Sequence, residues 1–238
     1  MNRFKIHIGL LAGILIMLTS CGDDEYHYPS VKREFVTVFS DVDGYIETLL
    51  PDNENPLEVT NDRTNSLIPP KTYKRVMCNY ETVSNGKDST AVIYSLQSLF
   101  IAEPKRPDDP SFGGLLKRDP VELVSFWPGR NYVNVILNVK TNINSGKKQL
   151  FDVVEESVTP EGKKVKVKLF LYHNINGDDE YYNRQVYMSI PLIKYGTADN
   201  ELPLVDVVFE YTTTSASGQI ATATNDCKVQ LQKISRMN

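Results

Sequence analysis

The chain has 238 residues, with 26 basic and 30 acidic side chains and a formal net charge of −4. That balance gives no electrostatic reason to hold a polyphosphate, so nucleic acid is excluded as an expected partner. Thirteen tyrosines stand against one tryptophan, among many Val, Ile and Thr, which favours strands over helices.

Arg3 and Lys5 precede an apolar run at 6–17 that leads into Leu18-Thr19-Ser20-Cys21. This is the layout of a secretory leader, too short to remain as a spanning helix. The small residues end at a cysteine, and Leu-Thr-Ser-Cys resembles the lipobox of bacterial lipoproteins. Residues 1–20 are therefore expected to be removed and Cys21 to be lipidated, its sulfur acting as the nucleophile that accepts diacylglycerol. Two or three acyl chains, at about 0.8 kcal/mol per buried methylene, would anchor the protein without any polypeptide entering the bilayer. Cleavage would leave 218 residues with 24 basic and 30 acidic groups, a net of −6. Gly22-Asp23-Asp24-Glu25 then forms an acidic cluster beside the lipid, resembling an export signal for the outer membrane or serving as a solvated spacer. Residues 21–30 are a lipidated tether reaching at most about 30 Å. The expected location is the outer membrane, on its surface or periplasmic face.

Beyond the tether, two-residue apolar alternation recurs and no segment sustains a helical period. Strands are predicted at 31–39, 44–50, 57–60, 72–82 and 90–101. Proline and glycine then interrupt the pattern at 102–120, where a strand cannot cross intact. Further strands are predicted at 121–127, 131–140, 148–156, 163–173, 185–192, 204–213 and 226–234. In 163–173, Val165, Val167, Leu169 and Leu171 face one way while Lys164, Lys166 and Lys168 face the other. Turn chemistry at Asp43-Gly44, Ser84-Asn85-Gly86 and Asn176-Gly177-Asp178 separates neighbouring strands. The expected fold is all-β: a five-stranded OB-like barrel at 31–103, then a seven-stranded immunoglobulin-like β-sandwich at 104–238 with a leading Pro/Gly-rich linker. Cys78 and Cys227, the thiols left after lipidation, could pair in an oxidising compartment. Their placement in different domains favours two buried free thiols behaving as small hydrophobes.

Several segments together resemble one family. They are Tyr28-Pro29-Ser30-Val31-Lys32 with Glu34-Phe35-Val36-Thr37, Asn61-Asp62-Arg63-Thr64, Asp119-Pro120-Val121-Glu122, Trp127-Pro128-Gly129-Arg130-Asn131-Tyr132-Val133-Asn134, Leu171-Tyr172-His173 and Tyr187-Met188-Ser189-Ile190-Pro191-Leu192. In this order they are similar to the NigD-like lipoproteins. The resemblance implies an N-terminal OB-type domain, a C-terminal β-sandwich and a role proposed as bacteriocin immunity. It carries no catalytic or ligand residues onto this sequence.

No enzyme activity is expected. His7 would leave with the leader and His27 lies in the tether, so His173 is the remaining candidate base. It continues the apolar face of its strand, where a satisfied core histidine outweighs a catalytic one. Nucleophile-elbow, zinc and dinucleotide motifs are absent from the sequence, and neither cofactor nor metal is expected. A hydrolase built on two carboxylates is the weakest alternative. Asn174-Ile175-Asn176-Gly177-Asp178-Asp179-Glu180 is oxygen-rich but departs from calcium-loop order, and reads as a hairpin turn. Candidate ligand-binding residues are Tyr181 and Tyr182, beside that acidic turn, and the row Lys164, Lys166 and Lys168, which alternatively guards an edge against aggregation. Trp127 is expected in the sandwich core. The expected function is a non-enzymatic binding or protective module of the cell envelope, its partner a toxin protein in the immunity sense. The alternative is capture of a glycan or peptide.

Overall fold

The structure, a computed structural model, describes residues 29–84, 86, 88–179, 181–196 and 202–233. The leader and Cys21 lie outside the described residues, as does most of the tether. Alternating apolar side chains between tight turns yield thirteen strands among the described residues: β1 (Val31–Ser40), β2 (Ile46–Pro51), β3 (Leu57–Asp62), β4 (Tyr73–Ser84), β5 (Ser89–Ser98), β6 (Phe100–Ile101), β7 (Glu122–Gly129), β8 (Tyr132–Thr141), β9 (Leu150–Glu161), β10 (Lys164–Asn174), β11 (Tyr182–Pro191), β12 (Leu204–Thr214) and β13 (Ile220–Gln230).

The first five close into a barrel in the order β1-β2-β3-β5-β4, with β4 returning antiparallel onto β1 and β3 parallel to β5. Closure leaves no open sheet edge in this half of the fold. Val36, Val38, Leu49, Cys78, Tyr80 and Ile93 fill the interior. The β1–β2 turn needs glycine: Gly44 has φ +93°, and a Cβ there would lie 2.6 Å from the carbonyl oxygen of Ile68.

The other strands form two four-stranded sheets, β13-β12-β10-β9 and β6-β11-β8-β7. They pack face to face through Val133, Val135 and Leu137 on one side and Val167, Leu169 and Val207 on the other. Seven long strands match the sequence expectation, and the eighth is the two-residue β6, added parallel to β11. β13 begins earlier than its apolar pattern suggests, because its first residues, nearly all exposed, form an arm by pairing with the end of β12. An arm with no buried face has no alternation to read.

The 102–120 segment is ordered against the sandwich. Lys105 bridges to Val154, and Phe112 packs 4.8 Å from the Tyr172 ring. Arg118 lies 3.8 Å above Phe170 and pairs with Glu210. The outward face of β10 is therefore wet at Lys164 and Lys166 and dry at Phe170 and Tyr172.

Cys78 and Cys227 are free thiols, the first buried in the barrel as expected and the second only half-buried, packed against the edge of the sandwich core. Burial pushes each up to about 12, with nearby carboxylates adding to the shift. Both should stay protonated at pH 8 and resist alkylation by iodoacetamide in the folded protein, then react fully in denaturant. Mass spectrometry of the alkylated chain checks this, and rapid native labelling of either residue would contradict it.

Candidate functional site

β1 carries apolar or buried side chains on both faces. Val36 and Val38 point into the barrel, while Phe35 and Thr37 point out beside their β4 partners Met77 and Arg75. The outward face of the β6-β11-β8-β7 sheet covers them, contributing Trp127, Ile136, Tyr187, Asn134 and Ser189. Arg75, only 4% exposed, is the centre of this junction. Its guanidinium meets Asp52 through two bonds, Nη1 to Oδ1 at 2.7 Å and Nη2 to Oδ2 at 2.5 Å. Nη2 also donates to Asn134 Oδ1 at 3.0 Å, and the guanidinium carbon lies 4.6 Å from the centroid of the Tyr132 ring. Asp52 accepts further bonds from Asn134 Nδ2 and the Arg130 backbone N–H, both at 2.9 Å. Ser189 Oγ donates to Asn134 Oδ1 at 2.7 Å. A buried charge with this many partners meets the condition under which desolvation is offset.

The β7–β8 turn is shaped for this contact. Arg130 Nε donates to the carbonyl of Pro51 and Nη2 to that of Glu54. Asn131, at φ +60°, exchanges two hydrogen bonds with the backbone of Gln232. A Cβ on Gly129 would fall 2.5 Å from Asn134 Nδ2 and closer still to Asp52, so glycine is required for the approach.

Beside this clamp lies a cleft of about 380 Å³. Its floor is Phe35, Met77, Trp127, Ile136 and Tyr187, with the Phe35 ring 5.1 Å from Trp127 and 6.2 Å from Tyr187. Its rim carries Arg33, Glu34, Asn53, Glu54 and Gln185. Glu34 accepts from Tyr80 Oη at 2.8 Å, Glu54 pairs with Lys32 at 2.5 Å, and Gln185 Oε1 accepts from Tyr187 Oη at 2.6 Å. The Tyr80 hydroxyl is held strongly protonated, by burial first and by its bond to Glu34 second. The volume lies in the range of small-ligand and side-chain pockets.

Trp127 thus stands at the junction and not in the sandwich core. A bulge between Leu123 and Ser125 shifts the register of β7 on β8, which turns Phe126 inward, stacked 5.6 Å from Phe209, and Trp127 outward. Tyr181 and Tyr182, 71% and 57% exposed, stand at the start of β11, away from the cleft lining. Lys164, Lys166 and Lys168 are on β10 in the opposite sheet, where Lys166 is beside Asp206 and Lys168 pairs with Glu156 at 2.8 Å. The two sets are on different sheets. His173 is buried, stacked 4.6 Å from Phe151, and its ring nitrogens bond the Asp119 carbonyl and Gln149 Oε1, both at 3.0 Å. Asp178 accepts from Ser145 Oγ and Thr141 Oγ1, both at 2.6 Å, and from Gln149 Nε2 at 3.1 Å. Those donors, the hydroxyls foremost, hold its carboxyl well below the usual range, so it ties two turns together and its oxygens are spent.

Sequence reasoning missed Asp52 and Arg75. The signal for a covered outer face was present in β1, where Phe35 and Phe39 interrupt the polar alternation, but it does not name the partners.

The NigD-like C-terminal beta sandwich domain model matches residues 104–220. A NigD-like immunity protein from Bacteroides caccae has a crystal structure that aligns with a TM-score of 0.70 at 48% sequence identity, covering 83% of this chain and 94% of the other. The chain belongs to the NigD-like family. A protein from Parabacteroides distasonis, described only as toxin-related, aligns at 0.63 with 15% identity, covering 84% and 93%. A protein from Bacteroides fragilis described as a lipoprotein aligns at 0.56 with 10% identity, covering 87% and 100%. At these identities the last two show a shared fold alone. Comparison with curated proteins finds no match.

Replacing Asp52 with alanine strands the Arg75 charge and is expected to cost about 3–5 kcal/mol. For a chain of this size the melting temperature should fall by about 10 °C. Scanning calorimetry measures it, and an unchanged transition would refute a structural role for the pair.

Proposed function

We propose that the protein is an immunity-type binding protein of the cell envelope, anchored to the outer membrane by lipid on Cys21, that acts by engaging a protein and not by catalysis. The observation that carries this reading is the 48% identity, spread over barrel and sandwich together, with a NigD-like immunity protein. The leader layout and the sulfur at Cys21 support the anchor, and the aromatic cleft at the clamped junction supplies a preorganised seat for a partner.

A second reading is capture of a glycan or peptide. The exposed neighbouring rings of Tyr181 and Tyr182 favour it, as amphipathic aromatics suit stacking, with the β10 lysines as a separate polar patch.

Two experiments test the main reading. Radioactive palmitate should label the wild-type chain in the membrane fraction and fail to label Cys21→Ala, which should also keep its leader and run at the larger, unprocessed mass. Label on the variant, or processing of the variant to the wild-type mass, would defeat the lipid anchor. Deleting the gene should sensitise cells to a bacteriocin-type toxin produced by neighbouring strains, with protection restored by the wild-type gene. Equal survival of deleted and complemented cells across such producers would defeat the immunity role.

A further inference from the structure

Within the junction cleft, the charges are unevenly spent. Glu34, Glu54 and Asp52 already have partners: Tyr80, Lys32 and Arg75 respectively. The Gln185 oxygen is occupied by Tyr187. Arg33 differs: among the described residues its guanidinium has no hydrogen-bonded or carboxylate partner and rests 5.7 Å from the centroid of the Tyr187 ring. The floor beneath it is apolar throughout, and its aromatic rings are held by contacts to both the barrel and the sandwich.

We propose that this cleft binds an extended peptide segment of a partner protein, with a large apolar side chain seated on Phe35, Trp127 and Tyr187 and an adjacent acidic residue paired with Arg33. This deepens, and rests on, the protein-partner reading above. The chemistry favours peptide over saccharide. A sugar needs several unspent hydrogen-bonding groups around its hydroxyls, whereas both rim carboxylates and the Gln185 amide oxygen here already have a partner within the protein. An aromatic-floored cleft beside one unpaired arginine is the kind of arrangement found at interface hot spots. Arg33, within cation–π range of the Tyr187 ring, keeps its planar donor edge free for a carboxylate.

The test uses a reporter the sequence provides, because Trp127 is the single tryptophan of the chain. The full chain, in detergent micelles, is titrated with blocked hexapeptides carrying Phe or Leu next to Asp or Glu, with matched series bearing Lys or Gln, and with neutral oligosaccharides. Acidic peptides should shift and saturate the tryptophan emission. Arg33→Gln, at an exposed position, should weaken that binding by about tenfold or more, the scale of a lost charge-assisted hydrogen bond, while Arg33→Lys recovers part of it. Circular dichroism verifies that both variants fold.

Emission unchanged up to millimolar acidic peptide overturns the proposal. So does an equal response to the lysine series, undiminished binding by Arg33→Gln, or a response to saccharides alone. If the peptides fail while the wild-type gene still protects cells from toxin, the cleft assignment falls and the immunity reading stands. If the peptides bind with the expected acid preference but the deleted cells resist toxin as well as the complemented ones, the cleft assignment stands and the immunity reading falls.

Discussion

The paired bonds between Arg75 and Asp52 are the constraint on which the rest of the fold depends. Arg75 comes from the barrel strand β4, and Asp52 follows β2; both belong to the barrel half. Yet their remaining bonds run to Asn134 and to the backbone of Arg130, which belong to the sandwich. The ion pair therefore cannot be satisfied by the barrel alone. A buried pair lacking its outer partners would leave desolvated charge uncompensated, so barrel and sandwich are bound to one geometry by the need to complete it.

That requirement explains a feature otherwise at odds with a half-solvated sheet. The β6-β11-β8-β7 sheet is covered on both sides, by the opposite sheet of the sandwich on one and by the barrel on the other. Ser189 and Asn134 face the barrel while Met188 and Val133 face the sandwich core, and the period of two in each strand supplies both faces at once. A curved barrel wall against a sheet cannot fill all the space between them, and the cleft is the part left open beside the clamp.

Much of the architecture was legible because the mechanism that writes it is local. Alternation in β8 and β10, and glycine at the β1–β2 turn, specify strands and reversals within a few residues, and these agree with the structure to within a few positions at most ends. The site was legible only in fragments. Phe35 and Thr37, the run from Trp127 to Asn134, and Tyr187 and Ser189 all belong to segments that carried the family resemblance, and the structure brings them together at the junction. Asp52 and Arg75 were silent, since a charged residue in an otherwise ordinary turn or strand reads as solvated until its partner is known. Trp127 was misplaced for a related reason: a one-residue bulge reverses facing, and nothing in the spacing of apolar residues announces it.

Rigidity at the junction bears directly on what the cleft can bind. Trp127 is two residues from Gly129, whose lack of a side chain lets the turn close on Asp52, and Phe35 is two residues from Thr37, which touches Arg75. The residues that floor the cleft are thus on the same short strand segments as those that close the clamp. Aromatic rings held this way have little further freedom to lose on any contact that covers them, and the energy of burying them is not spent on ordering the site. A pocket assembled from two halves of a fold, with neither half able to relax independently, is suited to selecting one shape of ligand over others.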